Sequence, residues 1–110
     1  MTREEFCEGL KNLDFFYERE NEFNRDVFTN DHFVFVLNDM RICKLSMVVY
    51  VDRYTVRMVW WLDDNHKVTT SCYMHKEVKE SCSIISLFSS CIMSCVELYK
   101  VDLNKYIKQD

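Results

Sequence analysis

From Ile42 to Leu62 the chain reads ICKLSMVVYV, then Asp52-Arg53, then YTVRMVWWL, two β-rich runs on either side of a short polar break. With Asp52-Arg53 as a two-residue turn, Val51 faces Tyr54, Val49 faces Val56, Met47 faces Met58, Leu45 faces Trp60 and Cys43 faces Leu62. Every one of these is apolar or aromatic. The other face of the same ladder sets Tyr50 beside Thr55, Val48 beside Arg57, Ser46 beside Val59 and Lys44 beside Trp61, a mixed surface. A one-residue slip would exchange the faces of one strand, so the uniform apolar set specifies a hairpin with one buried side. Asp-Arg suits a type I′ turn poorly, and a four-residue loop keeps the same faces. On this reading Met58→Ala or Val49→Ala is expected to cost about 2–4 kcal/mol, and Thr55→Ala on the mixed face less than about 0.5 kcal/mol.

Upstream, Thr2 and Glu5 have the form of a capping box, and Phe6, Leu10, Leu13 and Tyr17 recur at helical spacing. A first helix over about residues 3–19 is predicted, with Gly9 a cost of about 1 kcal/mol against alanine in its middle. Residues 20–31 read as a polar connection with Phe23, Val27 and Phe28 as anchors, and HFVFVL at 32–37 as a strand. KVTTSCYM at 67–74 supplies a further strand after the hairpin. From Lys76 to about Tyr106 the period changes to helical, with apolar stripes through Ile84, Phe88, Cys91, Cys95 and Leu98 and through Ile85, Ile92, Val96, Tyr99 and Leu103. The predicted order is α-β-β-β-β-α, a four-stranded antiparallel meander with a helix at each end, of the α+β class, in one domain over residues 1–110.

Ser83, Ser86, Ser90 and Ser94 line a third side of that last helix, and residues 81–96 carry no charge. A solvated strip would carry Lys and Glu, so a second copy of the helix is the expected cover and a homodimer through residues 83–98 the expected assembly. The same segment, broken by serines, is too short and polar for a bilayer span.

Composition sharpens this picture in three ways. With 48% hydrophobic residues in 110 the chain can bury a core without staples. The net charge of −4 argues against nucleic acid or a membrane surface as partner. The charge is uneven: residues 1–39 hold ten acidic and four basic side chains, residues 40–110 eight and ten. Six cysteines behind the start MTREEFCEG, which has no apolar leader, imply reduced thiols in a cytoplasmic setting. Proline and alanine are absent and glycine occurs once, which points to AT-rich coding as in many viruses and mobile elements.

No chemical constellation is specific. Cys72-x2-His75 followed by Cys91-x3-Cys95 has zinc-ligand types. A helix starting near Lys76 would carry Cys91 about 20 Å away, and the pairs meet only if the helix folds back beside its own strand, leaving His75 at the corner. Cys72 with His75 or His66 is the one candidate nucleophile and base, and a spacing of three on a strand separates their faces. One glycine rules out Gly-rich phosphate loops. A helix, a sheet and a second helix opening with HKEVKESC resemble the double-stranded-RNA-binding domain, which implies a phosphate-contacting role for Lys76 and Lys79. The chain departs from that family in its four predicted strands, its acidic first helix and the missing lysine before Lys76.

The expectation is therefore a small non-catalytic protein-binding module without a cofactor, of the kind a virus or mobile element uses to inhibit a host factor. Its partner would dock on an aromatic patch of the mixed face comprising Trp61, Arg57, Lys44 and Tyr50. The alternatives are RNA binding through Lys76 and Lys79, and a metal-thiolate protein.

Overall fold

The computed structural model describes residues 1–37, 40–63, 66–74, 83–100 and 102. The chain runs α1 (Arg3–Asn12), β1 (Phe16–Glu20), β2 (Asp26–Leu37), β3 (Met40–Val51), β4 (Thr55–Asp63), β5 (His66–Tyr73) and α2 (Ile84–Tyr99). All five strands form one antiparallel sheet in sequence order, with β1 and β5 at its edges. The class is α+β as expected, with five strands where the sequence reading has four.

The extra strand comes from the first predicted helix, which stops at Asn12. Thr2 caps its start, accepting the Glu5 N–H. At the other end Leu13 and Phe15 both donate to the Leu10 carbonyl, and Asp14 takes a left-handed conformation with φ 63°. An aspartate tolerates that conformation better than most residues, and it turns the chain out of the helix. Phe16–Glu20 then runs as β1 and returns through residues 21–25 to β2. Asn21 organises this turn: its Oδ1 accepts from the N–H of Phe23 and of Arg25, both at 3.0 Å, and Asn24 sits at φ 57°. The segment 20–31 is thus a hairpin bend and half of a long strand rather than a connection.

In the central hairpin the faces follow the alternation and the register does not. Val51 stands opposite Val56, Val49 opposite Met58 and Met47 opposite Trp60, two residues away from the pairing expected of a two-residue turn. The connection is the four-residue one, Asp52 to Thr55, because the Asp52 carboxylate holds it. Oδ1 accepts the N–H groups of Tyr54 (2.8 Å) and Thr55 (2.7 Å), while Oδ2 accepts the Thr55 hydroxyl and Arg25 Nε. Tyr54, expected on the apolar face, lies at this tip and is 59% exposed. Burial alone would raise the Asp52 pKa, but the donors from Thr55, Tyr54 and Arg25 outweigh it and hold the carboxyl below its ordinary range.

Both helices lie on the apolar face. Phe6 and Leu10 of α1 and Ile84, Leu87, Phe88, Ile92 and Cys95 of α2 join Phe15, Phe28, Phe33, Met47, Val49, Val51, Val56, Met58, Trp60, Val68, Cys72 and Met74 in one core. Phe15, Phe33 and Phe88 meet with ring centroids 5.4–5.8 Å apart. Gly9 serves the contact between the helices: a Cβ there would run into Ile84 Cδ1, so the propensity lost at this position is offset by close approach. Asp26 ties α1 to the sheet, accepting from Arg3 Nε at 2.8 Å and from the Tyr17 hydroxyl at 3.4 Å. Helix α2 begins after its N-cap Ser83, which accepts the Ser86 N–H, and ends where Lys100 turns left-handed at φ 53°. The predicted extensions through residues 76–82 and 103–106 fall outside the described residues.

Because Met58 is buried and Thr69 is exposed on the other face, Met58→Ala is expected to lower the urea-unfolding free energy by about 2–4 kcal/mol and Thr69→Ala by less than about 0.5. Thr55→Ala should fall between them, at about 1 kcal/mol, since the hydroxyl is bonded to Asp52 rather than idle. Equal losses at Met58 and Thr69 would contradict the one-sided core.

The depressed Asp52 pKa stabilises the fold above the unfolded carboxyl range, about 4, and that stability is lost as pH falls through the lower folded value. Asp52→Asn is expected to flatten the fall in stability below about pH 4. An acid limb identical to wild type would show that Asp52 does not contribute to it.

Candidate functional site

With α1 and α2 together on one side, no helix among the described residues lies on the second face of the sheet. Register places them in rows. Arg19, Val27, Tyr50, Arg57 and Ser71 succeed one another across all five strands. The next row is Phe16, Thr29, Val48, Val59 and Thr69, and beyond it Ser46, Trp61 and Lys67. The strands and the β1–β2 bend together form a concavity of about 630 Å³ lined by Arg19, Asn21, Glu22, Phe23, Arg25, Tyr50, Arg57, Val59, Trp61 and Lys67. The bend supplies one wall, with Phe23 69% exposed at its tip.

Apolar floor and charged rim are both present. Val27 and Val59 are buried there, outside the helix-side core. Trp61 and Tyr50 are half-buried. Lys67 Nζ stands 5.9 Å from the Trp61 ring centroid, a cation over an aromatic face. Arg25 is paired with Asp52 at 3.2 Å, whereas Arg19, Arg57 and Lys67 make no ion pair among the described residues. Three cations without a carboxylate partner among the described residues thus converge on the concavity of a chain whose net charge is −4.

Of the predicted patch, Trp61, Arg57 and Tyr50 are brought together here. Lys44 is a residue of β3 and its side chain lies outside what the structure describes. Sequence reasoning missed Arg19, Asn21, Glu22, Phe23 and Arg25, all contributed by the β1–β2 hairpin it read as helix and connection. It also missed Lys67, although alternation against the buried Val68 gives its face.

Ser83, Ser86, Ser90 and Ser94 are all exposed within the chain. The last three face β5 across a groove of about 430 Å³ shared with Thr70, Ser71, Cys72, Leu87 and Cys91. Helix α2 therefore does fold back beside its own strand, bringing Cys72 and Cys91 to one groove. Among the described residues no group of three or more His, Cys, Asp or Glu is placed to hold a metal ion. His75, Lys76 and Lys79 lie outside those residues. Among them, too, no helix is long and apolar enough to cross a membrane.

Cys7 and Cys95 both lie where burial disfavours the thiolate. Burial, then the charge of Asp26 and its acceptance of the thiol hydrogen bond at 3.5 Å, push Cys7 up to about 12. Burial also raises the Cys95 thiol, against a hydrogen bond with Thr70 that pulls it down.

No family model, curated protein or solved structure matches the chain.

A raised pKa keeps the Cys7 thiol protonated at neutral pH, and its thiolate appears only in strong alkali or after unfolding. Iodoacetamide at pH 8 is therefore expected to alkylate Cys7 of the native protein more than about 100-fold more slowly than free cysteine, and at the ordinary rate in denaturant. Rapid native modification would overturn this placement of the thiol.

Proposed function

We propose that this chain is a non-catalytic binding module, working in the cytoplasm, that docks a partner protein on the sheet face opposite its two helices. The observation that carries the reading is the concavity where Trp61, Tyr50 and Arg57 converge, on the side opposite both helices. Half-exposed aromatics beside arginine have the composition of binding hot spots, and the surrounding rim of polar side chains can exclude water from them. The raised thiols of Cys7 and Cys95 speak against these two as nucleophiles. The lack of proline and alanine keeps a viral or mobile-element inhibitor of a host factor as the setting. The test is comparative: a partner captured by the wild-type chain is expected to be lost with Trp61→Ala/Tyr50→Ala and retained by Thr69→Ala, with all variants folded by circular dichroism. Retention by the double variant would remove the docking face from the proposal.

A homodimer through α2 belongs to the same proposal. The helix has no charged residue before Glu97, its serine strip is exposed, and Ile85 and Met93 are each 37% exposed beside it. A second copy would cover this surface with one self-complementary patch. Ser86→Glu/Ser90→Glu is expected to give a folded monomer by light scattering. A wild-type chain already monomeric at high micromolar concentration would contradict the dimer.

A further inference from the structure

The sheet face specifies more about its occupant than that it is a protein. Arg19 and Arg57 lie in one cross-strand row, on β1 and β4, with Val27 and Tyr50 between them. Three strand intervals of about 4.8 Å separate them by about 14 Å. An extended chain laid across the strands rises about 3.3 Å per residue, so residues four apart span about 13 Å and the residue midway points to the same side. Two carboxylates at that spacing would meet the two guanidiniums, and the side chain between them would rest on Val27 and Tyr50. Lys67 and Trp61 extend the basic and aromatic surface toward β5.

Charge decides the sign of the occupant. The concavity is lined by Arg19, Arg25, Arg57 and Lys67 against the single carboxylate of Glu22, and among the described residues only Arg25 of these forms an ion pair, with Asp52. A nucleic acid would bring a continuous row of phosphates under the field of the whole chain, which is net acidic and most so in its first third. A short peptide with two carboxylates needs only local complementarity, and guanidinium groups bind carboxylates through paired hydrogen bonds.

We propose that this concave face binds an extended acidic segment of the partner, carrying carboxylates about four residues apart with an apolar residue midway, the carboxylates engaged by Arg19 and Arg57. The proposal rests on the reading of this face as a protein-docking surface and adds the chemistry of what docks.

Selection of the immobilised full chain against a random-peptide library tests it, followed by calorimetric titration of enriched peptides. Enriched sequences are expected to carry two Asp or Glu about four apart around an apolar residue, to bind more weakly as salt rises, and to lose at least about tenfold in affinity with Arg19→Glu/Arg57→Glu. Enrichment of basic or uncharged sequences, or tighter binding of oligothymidylate than of any acidic peptide, would overturn it. The two readings fail separately. A cellular partner lost with Trp61→Ala/Tyr50→Ala yet kept by Arg19→Glu/Arg57→Glu leaves the docking face standing without its acidic occupant. Selected peptides that bind the Trp61→Ala/Tyr50→Ala variant unchanged remove both.

Discussion

One constraint governs this molecule: its sheet has a single predominantly apolar face, and two helices need it. From β2 to β5 the residues on that side include Phe28, Val49, Met58, Trp60, Val68 and Cys72, all buried. Helix α1 brings Phe6 and Leu10, and α2 brings Ile84, Leu87, Phe88 and Ile92. Each side chain moved out of water there contributes about 1.5–3 kcal/mol, and only this face offers a partner for every one of them. The helices must therefore lie side by side, which sets Gly9 at their contact. Among the described residues, the opposite face is covered only by the sheet's own side chains.

The opposite face is correspondingly a compromise. Its centre, Val27 and Val59, is dry, while Tyr50 and Trp61 keep part of their rings in contact with water. Arginine and lysine border it because their aliphatic stems can lie along the apolar floor while their charges remain hydrated. That combination keeps the face compatible with water, and among the described residues Arg19 and Arg57 hold no ion pair that an anionic chain would have to displace.

Much of this was legible in the residues, and the failures have physical causes. Period-two alternation assigns the hairpin faces because each residue's polarity speaks for itself. The register depends on the turn, and the turn is held in part by Arg25, which reaches Asp52 from another hairpin; local propensity cannot anticipate such a partner. The helix predicted through residue 19 failed because Phe6, Leu10, Leu13 and Tyr17 match helical spacing by coincidence, only Phe6 and Leu10 being buried. The adjacent aromatics Phe16 and Tyr17 and the asparagines at 21 and 24 were signals for a strand and a bend. Missing that hairpin hid Arg19 and Phe23, whereas Trp61, Tyr50 and Arg57 could be placed from β3 and β4 alone.

The central claim, that one sheet face is core and the other is free to bind, is tested most directly by hydroxyl-radical footprinting of the native chain read by mass spectrometry. Trp60 and Trp61 are adjacent in sequence and point to opposite faces, so they report on the two sides under identical conditions. Trp61 and Tyr50 are expected to be oxidised readily while Trp60 and the intrinsically reactive Met58 are protected. Protection of Trp61 and Tyr50 equal to that of Trp60 in the isolated chain would contradict the account.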